Sequence, residues 1–193
     1  MRASLSIMSR PLKKDATYAD LCAVPENFVA EILGGELYAS PRPASRHSLA
    51  ASALGAKLMS PFHFGENGPG GWWLLDEPEL HFAADVLVPD IAGWRRERMP
   101  AIPNAAYFTL APDWVCEVLS PSTESIDRGK KLAIYAREGV RHLWFVNPLL
   151  QTLEVSRLES QRWSLVVVHE GGTLVRVEPF DAIELPLAAL WAT

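Results

Sequence analysis

The stretch from Trp114 to Val146 constrains the fold more than any other part of the chain. Trp114-Val115-Cys116-Glu117-Val118-Leu119 is a run of strand-forming residues, and His142-Leu143-Trp144-Phe145-Val146 is a second one. Between them, Asp127 to Glu138 carries apolar residues at helical spacing, and Gly139 follows where a left-handed helix cap is wanted. Strand, helix and strand in this order make a right-handed crossover. A chain built around such a unit is a mixed α/β (α+β) domain, with helices packed against a sheet.

The rest of the chain supplies the other parts. Thr17 and Asp20 have the spacing of a capping box, on a helix kept short by Pro25. Phe28–Leu33 and Glu36–Ala39 read as an N-terminal hairpin turning at Gly34-Gly35. Ser45 to Met59 is helical in pattern, with Ser45 or Ser48 as its cap and Pro61 as its stop. Gly65 to Gly71 is a loop by composition and the segment most expected to move. Trp72–Leu75 and Val86–Trp94 read as strands. A C-terminal β-meander is expected over Thr152–Arg157, Trp163–His169 and Thr173–Val177. Residues 1–15 read as a flexible arm and residues 16–193 as one domain, a length that suits a single core.

Charge and composition narrow the function. A net charge of −5 argues against a bulk electrostatic grip on nucleic acid, so phosphate contacts must come from a local patch. Arg95-Arg96-Glu97-Arg98 is one candidate, and a solvated basic loop is the other reading of it. No apolar run approaches the roughly 20 residues of a membrane helix, so no membrane partner is expected. Cys22 and Cys116 lie too far apart for a zinc spacing, and the chain reads as cytoplasmic. Trp72, Trp73, Trp163 and Trp191 are expected at the surface, where they would serve self-association, such as a homodimer.

Two carboxylates interrupt apolar strands: Asp90 in Val86-Leu87-Val88-Pro89-Asp90-Ile91, and Glu117 in the run quoted above. Burying an unpaired carboxylate costs several kcal/mol, so each calls for a cation, a metal or a proton, unless it caps a loop at a strand end. Strand alternation puts Glu117 on one face with Val115 and Leu119. Lys131 borders the inward stripe of the next helix and can reach that face, or its stem can cover apolar surface there. Two acids and a lysine at one strand end suit Mg²⁺ (or Mn²⁺) and a phosphodiester. Glu31 could add a metal contact or sit in the hairpin paired with arginine. His47 lies at a helix start, Glu77 on a turn lip, and Asp127 where it would cap the Lys131 helix.

These residues resemble a known family. Pro89-Asp90, Glu117-Val118-Leu119-Ser120-Pro121-Ser122-Thr123, Asp127, Lys131-Leu132, Tyr135-Ala136, Gly139-Val140 and Leu143-Trp144 are similar to the Uma-type restriction endonuclease-like family of the PD-(D/E)XK nuclease superfamily. Glu31 to Leu37 and Pro41 to His47 resemble its N-terminal signature, and the likeness runs from about Thr17 to Pro148. It implies a restriction-endonuclease-like core, a mixed β-sheet flanked by helices, with Asp90 and Glu117 as metal ligands. The superfamily lysine two residues after the acid is Leu119 here, and the resemblance transfers that role to Lys131 on the next helix. The activity implied is Mg²⁺-dependent hydrolysis of DNA. The alternative is a non-catalytic metal- or partner-binding module on the same fold.

Overall fold

A computed structural model of the chain describes residues 10–191. Gly34 and Gly35 take φ of 63° and 75°, the left-handed pair that a two-residue hairpin turn requires, and they join β1 (Phe28–Leu33) to β2 (Glu36–Pro41). β4 (Leu80–Phe82) and β5 (Asp85–Leu87) extend this hairpin into a four-stranded sheet of order β2-β1-β5-β4.

A six-stranded sheet forms the centre. It is built from β3 (Trp72–Asp76), β6 (Ile91–Arg95), β7 (Trp114–Val118), β8 (His142–Asn147), β9 (Thr152–Glu159) and β10 (Arg162–Glu170). Its order is β10-β9-β8-β7-β6-β3. β7 and β8 run parallel, and every other neighbouring pair in this sheet is antiparallel. The crossover between them is one helical stretch: α3 (Glu124–Ile126), a wide π turn over Asp127–Lys131, and α4 (Leu132–Arg137). Gly139 ends it at φ 77°.

Side-chain alternation divides the core. Trp114, Cys116, Val118, Trp144 and Val146 face α2 (Ser45–Leu58) and the C-terminal segment around Phe180. Val115, Leu119, Leu143 and Phe145 face Ile134 and Tyr135 of the crossover and the four-stranded sheet. Burying each large apolar side chain contributes about 1.5–3 kcal/mol, so these two layers fix the ends of β6 and β7 in place.

Several expectations are corrected. The run Val86–Trp94 is two strands in two different sheets, and Val88-Pro89-Asp90 is the passage between them; Pro89 has no N–H to give to a ladder. Pro61 does not stop its helix. It lies in a π turn, Met59–Phe64, whose wider register absorbs the missing N–H before Gly65 ends it at φ 76°. The N-cap of α2 is Ala44, with no side-chain bond, so Ser45 and Ser48 lie inside the helix. The glycine loop is tied down: Glu66 N–H donates to Ser60 O and Gly70 N–H to Pro61 O, both at 2.9 Å. Thr173–Val177 does not extend the meander; β11 (Leu174–Val175) pairs with β12 (Leu185–Pro186) in a separate ladder. Trp72 is buried, and the indole N–H groups of Trp73, Trp163 and Trp191 each donate to a backbone carbonyl.

Thr17 and Asp20 form the capping box of α1 (Tyr18–Cys22). Of the 1–15 arm, residues 1–9 lie outside the described residues, while Leu12 and Lys13 hydrogen-bond to Leu37 of β2.

Candidate functional site

The passage from β5 to β6 is where the acids meet. Ile91 pairs with Cys116, and continuing that register sets Asp90 across from Glu117. Asp90 Oδ2 accepts the Val118 N–H at 2.7 Å, and its Oδ1 lies 3.3 Å from His47 Nε2. Glu117 is 2% exposed. Its Oε1 accepts from the Tyr135 hydroxyl at 2.6 Å and lies 2.8 Å from Lys131 Nζ.

Lys131 reaches into the same space from the π turn. Its ammonium stands 3.1 Å from Glu31, 3.6 Å from Asp127 and 3.2 Å from the Val88 carbonyl, to which it donates. Glu31 in turn accepts the Val88 N–H at 2.8 Å. The passage is therefore held at both polar groups of Val88, by an acid from β1 and a lysine from the crossover. A wide turn helps here, because it shifts the register that would otherwise run straight through Asp127–Lys131.

The electrostatics follow from burial and an excess of acids. Burial raises Glu117 well above the usual carboxylate range, and Lys131 only partly opposes this. Burial also raises Asp127, to about 6, with Lys131 lowering it and Glu31 raising it. For Lys131, burial favours the neutral amine, but the charges of Glu117 and Glu31 outweigh it and hold the ammonium charged. Burial likewise favours neutral His47, and its contact with Asp90, reinforced by Asp127, outweighs that and raises it. His47 Nδ1 is buried without a hydrogen-bond partner. Tyr135 is raised well above its ordinary value by burial and by Glu117.

A cavity of about 400 Å³ opens on this cluster, walled by the Ser120-Pro121-Ser122-Thr123 loop and the end of β2. At its rim Arg42 and Glu77 face each other at 3.3 Å, both well exposed.

Asp90, Glu117 and Lys131 thus come together, and Glu31 and His47 join them. Glu77 stays at the rim. Asp127 is not a cap: the helix begins at Glu124, and Asp127 is 4% exposed inside the cluster. Tyr135 joins the cluster as well, through its bond to Glu117. Both were within reach of sequence reasoning, because 127, 131 and 135 recur at i, i+4 and so share one helix face. Arg95, Arg96 and Arg98 stand apart from the acid cluster. They lie at the far end of β6, where Arg95 covers Trp72, Arg96 donates to Trp72 and His63 carbonyls, and Arg98 pairs with Asp113.

Among the described residues no three His, Cys, Asp or Glu side chains stand ready as a three-ligand metal centre. The Lys131 ammonium lies between Glu31, Glu117 and Asp127 instead. A smaller donor set nevertheless fits a hard cation. Asp90 and Glu117 are neighbours across two strands. Both Glu117 contacts fall on Oε1, leaving Oε2 without a hydrogen bond among the described residues. Mg²⁺ needs only one or two carboxylates when waters and a phosphate complete its shell, and the cavity has room for them.

The mixed sheet, the parallel pair with its helical crossover, and the acids gathered at one sheet end define a restriction-endonuclease-like fold. The solved structure of a putative nuclease belonging to DUF820 from Anabaena variabilis is similar to this chain, with a TM-score of 0.71 and 24% sequence identity. The match covers 92% of this chain and 98% of that one. The family Uma2, described as "Putative restriction endonuclease", matches residues 15–188, and the chain belongs to that family. No curated protein matches the sequence. Among the described residues no helix is long and apolar enough to cross a membrane.

Proposed function

We propose that this protein is a divalent-metal-dependent endonuclease that hydrolyses phosphodiester bonds in DNA. One observation carries the reading: four carboxylates, Glu31, Asp90, Glu117 and Asp127, meet at an open cavity around a single lysine and one histidine. Such a surplus of acids, two of them buried and two half-buried, is costly and calls for a further cation. Membership of a family described as restriction endonucleases supports the same class of chemistry.

Asp90 and Glu117 would hold Mg²⁺, or Mn²⁺ in its place, and the ion would supply an activated water and relief of charge on the phosphate. The protein's own groups prepare the site. The Val118 N–H and His47 orient Asp90, and the Tyr135 hydroxyl orients Glu117. Lys131 stays charged through Glu117 and Glu31, so it has an ammonium to offer a phosphoryl oxygen whose charge grows during attack. Arg42, an exposed cation at the cavity rim, would meet an entering phosphate chain.

The test is cleavage of supercoiled and single-stranded DNA by purified protein with Mg²⁺ or Mn²⁺. Cutting by wild type that is lost in Asp90→Ala and in Lys131→Ala is expected. Wild type that cuts nothing under any of these conditions, or cutting that persists in Asp90→Ala, overturns the assignment and favours a non-catalytic binding module.

A further inference from the structure

The far edge of the six-stranded sheet is β10, which pairs with β9 on one side and, among the described residues, with no strand on the other. Edges of this kind are usually guarded by charges, proline or short length, because their free N–H and C=O groups template pairing with another chain. Between its two end residues β10 has none of these guards. It is nine residues long, and Trp163 to His169 contains no Lys, Arg, Asp, Glu or Pro. Leu165, Val166 and Val168 are 60%, 45% and 43% exposed.

The pattern of the strand selects its partner. The charges lie only at its ends and are opposite in sign: Arg162 begins it and Glu170 closes it. Neither has an ion-pair partner among the described residues. Antiparallel pairing of two β10 strands about Val166 would set each Arg162 across from the other copy's Glu170. The same register sets Leu165 against Val167 and Ser164 against Val168. In-register parallel pairing would instead oppose arginine with arginine and glutamate with glutamate, which is unfavourable. Val166 is also the residue that β9 leaves unmatched, since Leu165 pairs with Ser156 and Val167 with Val155. A bulge there turns the strand's odd residue outward, to where the two-fold axis would pass.

We infer that the protein associates as a two-fold homodimer by antiparallel pairing of its β10 edges, centred on Val166 and closed at both ends by Arg162–Glu170 ion pairs. This stands apart from the nuclease reading and does not use its residues. A symmetric edge contact closes on itself, so it stops at two copies. A single strand pair is smaller than a standard interface, so the dimer forms with rising concentration rather than being permanent.

Sedimentation equilibrium of the full chain over a wide concentration range tests this. The mass of wild type should rise from 21.3 kDa toward twice that value. Arg162→Glu and Glu170→Arg should each weaken dimerisation by about tenfold or more, and the double exchange should restore it. Both residues are exposed, and circular dichroism checks that each variant keeps its fold. In wild type, amides of 162–170 should exchange more slowly as concentration rises. A chain that stays at 21.3 kDa throughout, single variants that dimerise like wild type, or a series of ever larger oligomers would each overturn the inference.

Discussion

Asp113 and Glu117 sit four residues apart at opposite ends of β7, both almost wholly buried, at 1% and 2% exposure. Asp113 has one cation and one amide for its two oxygens. Oδ2 accepts the Arg95 N–H at 2.9 Å, and the Arg98 guanidinium lies 2.9 Å from Oδ1, although not aligned for a hydrogen bond. Its charge is matched locally, and it pins the strand end to the loop before it. Glu117 shares one lysine with Glu31 and Asp127 and lies beside Asp90. The difference is in the balance of charge around each acid rather than in burial. A matched buried acid stabilises a fold, while a surplus of acids at a cavity is a place built for something else.

Removing the shared cation should separate the two ends most sharply. Lys131→Met leaves three acids around an apolar side chain, and chemical denaturation should show a loss of about 3–5 kcal/mol. Arg98→Met, at a partly exposed position, should cost far less. The pH dependence of stability is the next largest effect. Asp127 titrates at about 6 in the folded chain against 3.8 for the ordinary group, so the folded state takes up its proton more readily than the unfolded state does. Its contribution is therefore fully present below pH 3.8 and lost as pH rises through about 6. The whole step is on the order of 3 kcal/mol. Denaturation curves across this window should flatten in Asp127→Asn.

Replacing each acid by its amide should then give opposite signs. Asp113→Asn weakens the Arg98 pairing and should lower stability by about 1–2 kcal/mol. Glu117→Gln removes a desolvated charge while Lys131 keeps Glu31 and Asp127, so at pH 8 stability should hold or rise by ~1 kcal/mol. Equal losses for the two variants would erase the distinction between a matched acid and a surplus one. The smallest effect is expected for Tyr135→Phe, which removes a single hydrogen bond to Glu117 and should cost ~1 kcal/mol in the same assay.

Much of this is legible in the sequence. The hairpin at Gly34-Gly35, the crossover, and the placing of Asp90 and a buried Glu117 at one sheet end all follow from turn chemistry and from alternation along strands. The passage Val88-Pro89-Asp90 was not legible, because apolar residues flank it on both sides and only tertiary pairing divides them. Ile32 of β1 takes Val86, while Cys116 of β7 takes Ile91. Asp127 looked like a helix cap because an acid suits a first helical turn as well as it suits a buried cluster. The π turn that draws it inward leaves no mark on hydrophobic periodicity. The tryptophans misled for a similar reason, since an indole that spends its N–H on a carbonyl packs inside a wall rather than on it.

On the proposed function, the acids around Glu117 take up a divalent cation, whereas Asp113 does not. Calorimetric titration of Mn²⁺ into wild type, Asp113→Asn and Glu117→Gln, each with a non-hydrolysable DNA oligonucleotide to complete the metal's shell, tests it directly. Binding by wild type and Asp113→Asn that disappears in Glu117→Gln is the predicted result. Equal binding by all three proteins, or no binding by wild type, would contradict it.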